Sequence, residues 1–501
     1  MAAGSPDELY DVIGVGFGPS NLSLAVALEE HNTHNPGEQV TGFFFERQES
    51  FGWHRNMLLP SATMQIPFLK DIATFRNPAS RYSFVSYLHA SDRLARFVNT
   101  QTFFPTRQEF HQYLEWTAAH FTDRVAYGSE VLRIRLPVGA TEPGAPAHLE
   151  VEVRQRESGD IQTICARNVV ISTGLVPRMP EGVRREDRVW HSSEFLSRFR
   201  RTDPASLKSV AVVGAGQSAA EITRFLYDAL PDAQVHAIVP SYGYSLADDT
   251  PFANQVFDPG AVDDYYFGTD RMRQAFWDYH RNTNYSVADD EVIRDLYRRS
   301  YAEDVQGARR LHFLNLTRVT EVVHDGDERR VLLLDSDLQE ITVDICVFAT
   351  GYHNMEPTPL LGELDRYCKR DQSGRHQVER DYRLVADPAL TCGIYLQGGT
   401  EHTHGLTSSL LSNIAIRSGE IAESVISHRR VEHELARALP VEPVGKAVWA
   451  QVVVGEPDER AVAVADRAEE TAMSQPAQEP QEPEAPHLDF RGQARGCADM
   501  R

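Results

Sequence analysis

The chain has 501 residues, with 50 Lys and Arg against 72 Asp and Glu, a net charge of −22; that balance argues against a nucleic-acid binder held by phosphate contacts and for small-molecule partners. The length exceeds one compact core and predicts two or three domains. No apolar run approaches the roughly 18 residues that a bilayer span needs, so no membrane partner is expected.

In chain order, the N-terminus carries Asp7, Glu8 and Asp11. It has no basic n-region and does not read as a secretory signal. The first apolar strand, Val12-Ile13-Gly14-Val15, runs into Gly16 and Gly18 and then into a helical run from Leu22 to Leu28. Glycines there let the backbone turn tightly and approach a pyrophosphate, while the helix N-terminus presents free N–H groups. Pro19 stands where the fingerprint has its third glycine. A second strand from Val40 to Phe45 ends at Glu46, an acid placed to accept from a ribose diol. These features predict the adenosine half of FAD. An alternating hairpin, Leu149–Val153 with Ile161–Ile164, precedes the apolar strand Val169–Ile171, which stops at Thr173-Gly174.

The plan then repeats. Val210–Val213 runs into Gly214-Ala215-Gly216-Gln217-Ser218-Ala219 and a helix to Leu226. A hairpin, Val331–Leu334 with Ile341–Val343, precedes Val347-Phe348-Ala349-Thr350-Gly351. The second strand of this copy, Gln234–Val239, ends in Pro240-Ser241-Tyr242. No acid stands there to hold a ribose 2′-hydroxyl, which favours NADPH over NADH, and no Arg stands there to clamp a 2′-phosphate. The expected fold is therefore α/β, with two Rossmann-like dinucleotide-binding domains, the NADPH domain inserted into the FAD domain. The FAD domain spans residues 1–200 and returns at 351–430, through a strand at Gly393–Leu396 and a helical run from Leu410 to Ile426. The NADPH domain spans 201–350. Within it, about 242–301 is aromatic, Asn-rich and irregular and reads as a substrate-binding insert. Residues 431–501 are expected to form a disordered acidic tail, since Gln475–Pro486 is Pro, Glu and Gln with almost no apolar content. Val448–Val454 is a possible short strand within it. The five cysteines, 165, 346, 368, 392 and 497, form no CxxC pair. That fits reduced thiols in the cytoplasm, no structural metal and no disulfide-reductase chemistry.

Three segments carry a more specific resemblance. They are Trp53-His54 through Met64-Gln65-Ile66-Pro67-Phe68-Leu69-Lys70-Asp71; Asp248-Asp249-Thr250-Pro251-Phe252-Ala253-Asn254 with Asn282-Thr283-Asn284-Tyr285-Ser286; and Thr403-His404-Gly405-Leu406 through Leu410-Leu411-Ser412. With both glycine turns, the chain resembles, from about Tyr10 to Ile426, the microbial N-hydroxylating flavin monooxygenases of siderophore synthesis, the L-ornithine N5-monooxygenases and their lysine N6 relatives. The resemblance implies that Lys70 pairs with a substrate α-carboxylate, assisted by Ser412. It implies that Asn254 and Asn284 take the polar ends of the substrate and that Asn284 also neighbours the nicotinamide. It assigns FAD contacts to Gly14, Gly16, Gly18, Pro19, Glu46, Trp53, His54, Gln65, Leu410, Leu411 and Ser412. NADP contacts fall to Gly214, Gly216, Gln217, Ser218 and Asn284. It further implies O2 as co-substrate, no protein nucleophile, and a homo-oligomer, a tetramer in the family. Without those flanking segments a lone Lys reads as a solvated charge and an Asn as a turn former. Baeyer–Villiger and sulfur monooxygenases share the plan but would lack the Lys70, Asn254 and Asn284 set. Lysine or a diamine is the nearest rival substrate, and a non-catalytic flavin-binding protein is the alternative of another class.

Overall fold

The structure, a computed structural model, describes residues 8–137, 148–325 and 329–438. The chain first forms β1 (Leu9–Val15), α1 (Pro19–His34) and β2 (Gly42–Phe45). Next come α2 (Arg107–Ala118), β3 (Val125–Ala126), β4 (Ser129–Arg135), β5 (Leu149–Gln155) and β6 (Ile161–Ile171). The second half holds β7 (Val189–His191), β8 (Ser209–Val213), α3 (Gln217–Ala229) and β9 (Gln234–Ile238). Three helices follow: α4 (Pro259–Tyr266), α5 (Asp270–His280) and α6 (Asp290–Gln306). Then come β10 (Leu311–Leu314), β11 (Val319–Asp325), β12 (Arg329–Leu334), β13 (Glu340–Val343) and β14 (Ile345–Phe348). The last elements are β15 (Gly393–Leu396) and α7 (Ile414–Ala438).

Two parallel sheets organise these elements. In the first, β3, β2, β1 and β6 lie side by side in parallel, and β15 pairs with β6 on its far side. In the second, β10, β9, β8, β14 and β7 are all parallel. The central strands β1 and β8 are almost wholly buried, because helices cover both faces of a parallel sheet. Helix α1 packs against α7 over the first sheet, which ties the chain's described C-terminal helix to its first turn. The fold is thus α/β with two Rossmann-like sheets, as the repeated strand–glycine–helix pattern requires.

Four details depart from the sequence-based expectation. The hairpin strand at Ile161–Ile164 and the apolar strand at Val169–Ile171 are one strand, β6. Its first half pairs antiparallel with β5, and its second half pairs parallel with β15. One long strand serves both partners because they approach it at different heights. Second, β7 belongs to the second sheet although it precedes residue 201. Third, the segment 242–301 is largely helical rather than irregular. Thr269 caps α5 by accepting from the Met272 amide, and α6 packs on α3 through Val292 and Leu296. Its aromatics hid an ordinary helical pattern, since Tyr279, Tyr297 and Tyr301 stand exposed on these helices. Fourth, the last helix starts at Ile414, after a short turn at Leu411–Asn413, and runs to Ala438, so the first residues assigned to the tail continue it. The rest of that segment, with Val448–Val454 and Cys497, lies outside the described residues.

Candidate functional site

Both glycine turns owe their shape to close backbone approach. Gly16 has φ +84°, and a Cβ there would stand 2.5 Å from the Ser172 carbonyl oxygen at the end of β6. Gly214 has φ +144°, and its Cβ would stand 2.4 Å from the Ala349 carbonyl oxygen beyond β14. Left-handed backbone and contact of this kind admit glycine alone without strain. At Gly18, by contrast, nothing stands within 4 Å of a would-be Cβ. Pro19 opens α1 at a position whose missing N–H no helix needs. The first turn therefore presents helix-end N–H groups to open space, the cradle that a dinucleotide diphosphate fills.

Glu46 lies buried beside this turn. One carboxylate oxygen accepts from the Phe17 amide at 2.8 Å and the other from the Gln48 amide at 2.9 Å. The carboxylate thus braces the turn and keeps lone pairs for a diol. Trp53 packs edge-on against Phe110 and His54. His54 keeps an exposed face, yet the protein encloses its ring closely enough to push its pKa down to about 4, helped by the Arg107 charge. The ring is therefore neutral near pH 7.

The loop after β15 closes over the same region. Thr400 Oγ1, Ser408 Oγ, Ser412 Oγ and Asn413 Oδ1 are buried without a hydrogen-bond partner among the described residues. Buried polar atoms are ordinarily paired, so this cluster calls for a polar group of a ligand. Leu410 and Leu411 beside it are half-buried. This donor and acceptor set, with the Gly18 cradle and Glu46, fits FAD.

The second turn is held differently. Gln217 Nε2 donates to Asp289 at 2.8 Å and to Glu221 at 2.9 Å, and Gln217 Oε1 accepts from the Asp289 amide at 2.8 Å. Gln65 donates to the other oxygen of Asp289 at 3.1 Å. Glu221 takes a two-pronged bond from Arg107, both contacts at 2.8 Å, and Arg107 also donates to the Met57 carbonyl. Gln65 and Gln217, expected on different cofactors, thus meet on one carboxylate that links the two sheets' loops. Burial raises the Asp289 pKa. Ser218 follows in the first turn of α3, half-buried, and a Cβ added at Gly216 would meet only the Val287 and Ser286 backbone, at 3.9 and 4.0 Å.

Lys70, Asn254, Asn284 and Ser412 come from four distant stretches that pack together. Lys70 is half-buried, its ammonium 5.8 Å from the Phe257 ring, in the turn Ala253–Phe257 that carries Asn254. Partial burial lowers its pKa, and the Asp258 charge opposes the shift. Among the described residues it closes no ion pair within 4 Å, so its charge is available to a ligand. Asn254 donates to the Asp249 carbonyl at 2.6 Å, which fixes its side chain. The stretch holding Asn284 is stapled to the Asn254 stretch by backbone bonds from Ala247 to Ala288 and from Asp248 to Asn282. Tyr285, next to Asn284, donates to Glu401, whose burial raises its pKa. The turn carrying Asn254 packs on Leu406–Ser409, beside the stretch that holds Ser412.

Arg107, Glu221, Asp289 and Glu401 escaped the sequence reading, and Tyr285 entered it only as part of a segment, with no role of its own. Their partners lie up to 224 residues away in the chain, and only Asp289, at the position just before α6, left a local mark, though its side chain makes no capping bond. A cavity of about 530 Å³ is lined by Glu401, Trp277, Arg273, Arg375 and His402 among others, and holds none of the expected site residues. Among the described residues no His, Cys, Asp and Glu cluster could hold a metal ion, and no helix is long and apolar enough to cross a membrane.

Comparison with known proteins gives the family. The family model described as L-lysine 6-monooxygenase/L-ornithine 5-monooxygenase matches residues 8–354. An L-ornithine N(5)-monooxygenase of Pseudomonas aeruginosa is 37% identical over 428 residues, 84% of this chain and 94% of that protein. An ornithine N-hydroxylase of Kutzneria sp. 744, in a structure named for FADred, NADP+ and L-orn, is 57% identical, with a TM-score of 0.79 over 84% of this chain and all of that one. An L-lysine 6-monooxygenase of Pseudomonas syringae is 28% identical, with a TM-score of 0.72 over 84% of this chain and 99% of that one. The chain belongs to the L-lysine 6-monooxygenase/L-ornithine 5-monooxygenase family.

Proposed function

We propose that this protein hydroxylates the side-chain amine of L-ornithine, using FAD, NADPH and O2, and so supplies N5-hydroxyornithine to siderophore or related natural-product synthesis. The balance is R–NH2 + O2 + NADPH + H+ giving R–NHOH + NADP+ + H2O. Bound flavin supplies the oxygen chemistry after reduction by NADPH, and no protein nucleophile is needed. Gly14, Gly16, Gly18, Pro19, Glu46, Trp53, His54, Gln65 and Leu410–Ser412 would hold FAD; Gly214, Gly216, Gln217, Ser218 and Asn284 would hold the nicotinamide cofactor.

The observation that carries the substrate assignment is Lys70, a half-buried ammonium beside the Asn254 stretch, without a carboxylate partner among the described residues. It offers an α-carboxylate a charge-assisted bond and fixes one end of the substrate. Asn254 and Asn284 then face the rest of the molecule with neutral dipoles. Neutrality matters at the reacting end, because an alkyl ammonium with pKa about 10.4 has no lone pair and a carboxylate beside it would hold it charged. The distance from Lys70 to the reacting centre selects chain length; one methylene is worth about 1–3 kcal/mol of discrimination. Ornithine is favoured over lysine by the 57% identical ornithine hydroxylase against the 28% identical lysine enzyme.

The domain division follows the cofactors: FAD on residues 1–200 and 351–430, NADPH on 201–350, with β7 joining the latter. We place the enzyme in the cytoplasm, in keeping with the free thiols Cys165, Cys346 and Cys368. We also propose a homo-oligomer; Tyr297, Tyr301 and Val305 stand exposed along one face of α6 and suit such a contact.

The test is a substrate panel on purified protein, scoring hydroxylamine from ornithine, lysine, putrescine and cadaverine. Ornithine should lead. Product from lysine or a diamine at higher kcat/KM overturns the substrate, and amine-independent NADPH consumption with no hydroxylamine from any of the four overturns the reaction.

A further inference from the structure

Arg417 is among the largest fully buried side chains, with 1% of its surface exposed. It sits one turn into α7, and helical side chains lean toward the N-terminus of their helix. Its guanidinium accordingly reaches back to the loop before α7, donating to the Ser408 carbonyl at 2.6 Å and, more weakly, to that of Thr407. Its other terminal nitrogen donates to Ser20 Oγ at 3.2 Å. Ser20 is the second residue of α1, immediately after the Gly18-Pro19 turn. Arg417 Nε has no partner among the described residues.

Among the described residues no carboxylate lies within ion-pair reach of this guanidinium. Glu420 is the acid that feels its charge, yet both Glu420 oxygens accept from Arg380 at 2.9 Å, and Arg380 also meets Asp263. Tyr382 and His404 are the other titratable neighbours; enclosure holds His404 neutral, with its pKa down to about 3. Burial without a partner pulls the Arg417 pKa down. A buried unpaired cation costs several kcal/mol, and here it stands at the positive end of α1 and of its own helix, where cations are disfavoured. Three positive features converge on one buried place, beside an open cradle.

A second set of contacts runs in parallel. Ser418 Oγ reaches the Ser20 carbonyl and Gln397 Oε1, each at 3.3 Å. Gln397 donates to Asn21, and Asn21 donates to the Gly16 carbonyl at 2.7 Å. The loop at 400–413 and the first glycine turn are therefore one hydrogen-bonded unit with Arg417 at its centre.

We propose that Arg417 is the buried countercharge of the flavin dinucleotide's diphosphate, acting through Ser20 and the α1 N-terminus, so that diphosphate binding and seating of the 400–413 loop are one coupled event. Arg417 is a positioning residue in this scheme. The proposal rests on the reading of the Gly14–Pro19 turn as the FAD site. It explains why a fold would bury a cation that its own acids leave unpaired.

Deflavinated wild type, Arg417→Met and Arg417→Lys are titrated with FAD, ADP and adenosine, and Tm is measured with and without FAD. Arg417→Met should weaken FAD and ADP by roughly tenfold to a hundredfold, the range of a lost charge-assisted interaction, and adenosine by less than about twofold. Apoprotein Tm should hold or rise, because an unpaired buried charge has gone, while the Tm gain on adding FAD shrinks. Equal losses for ADP and adenosine, or a lower apoprotein Tm with unchanged FAD affinity, make Arg417 a packing residue and overturn the proposal. If Arg417→Met does not fold, Arg417→Lys decides. It keeps the charge, so its ADP-to-adenosine affinity ratio should stay within about threefold of wild type, and a ratio near one overturns the countercharge. A wild type that binds no FAD at all instead removes the flavin reading itself.

Discussion

The two glycine turns are built on one plan and finished in opposite ways. The first is braced by chain from its far end: Gln397, Arg417 and Ser418 reach it directly, and Glu46 is buried against it. The second has its amide-bearing residue, Gln217, tied to Asp289 and Glu221, while the strand-end loop beyond β9 is open, with Tyr242 82% exposed. A turn braced by remote segments holds its shape as long as those segments stay seated, and it suits a cofactor kept through turnover. A site with an open rim suits one that must arrive and leave each cycle. Under the proposed function, the same strand–turn–helix makes a resident site or an exchange site according to what the rest of the chain lays over it.

The largest expected effect comes from giving both turns the same insult. Gly16→Ala places a Cβ 2.5 Å from a carbonyl oxygen at positive φ, and Gly214→Ala does so at 2.4 Å. Each costs on the order of 1–3 kcal/mol in backbone strain and a similar amount in overlap. Gly16→Ala should yield nearly colourless protein, whereas Gly214→Ala should stay yellow and lose NADPH-dependent flavin reduction. Absorbance at the flavin band and anaerobic reduction rates read this out, and loss of flavin from both variants breaks the comparison.

Lys70 lies outside both turns and should leave both intact. Lys70→Ala should lower kcat/KM for ornithine by roughly 2–4 kcal/mol, a factor of about 30 to 1000. NADPH oxidation should continue and leak peroxide, and putrescine, lacking the carboxylate, should be far less affected. A parallel fall in flavin reduction would make Lys70 a structural residue, and an unmoved ornithine KM would remove it from the substrate site.

Glu46→Gln sharpens the resident site. It keeps the shape and removes the charge, and FAD affinity should drop by about 1.5–3 kcal/mol, roughly tenfold to 150-fold, with the NADPH KM unchanged. Equilibrium titration of deflavinated protein decides.

Two smaller effects probe the exchange and substrate sites. Because Pro240 and Ser241 supply no cation, the kcat/KM advantage of NADPH over NADH should stay below roughly 100-fold, the worth of one charge-assisted bond, and Ser241→Arg should widen it. Lys70 also sets a pH limit. Its folded pKa is lowered, so the carboxylate-binding ammonium is present at low pH and is lost as pH rises through a value below lysine's usual one. The substrate amine gains its reactive form in the same direction, so kcat/KM for ornithine should be bell-shaped. Lys70→Arg should move the alkaline limb upward, and an unmoved limb assigns it to another group.

The sequence by itself determined the two Rossmann-like sheets, because strand, glycine turn and helix are local patterns with local causes: burial of Val12 and Ile13, and the backbone angles of Gly16 and Gly214. It also singled out Lys70, Asn254, Asn284 and Ser412 as candidates, but only through the flanking segments that gave them a family context, since composition and period say nothing of what a lone Lys faces. The tertiary structure decided everything that depends on two distant residues meeting. Asp289 gathers Gln65 and Gln217 from 224 and 72 positions away, Arg107 finds Glu221 across 114, and Arg417 reaches Ser20 across 397. Such pairs leave no period in the chain, because their energy comes from contacts that exist only once the layers have packed, and the same packing turned the aromatic insert into helices and made one strand of two.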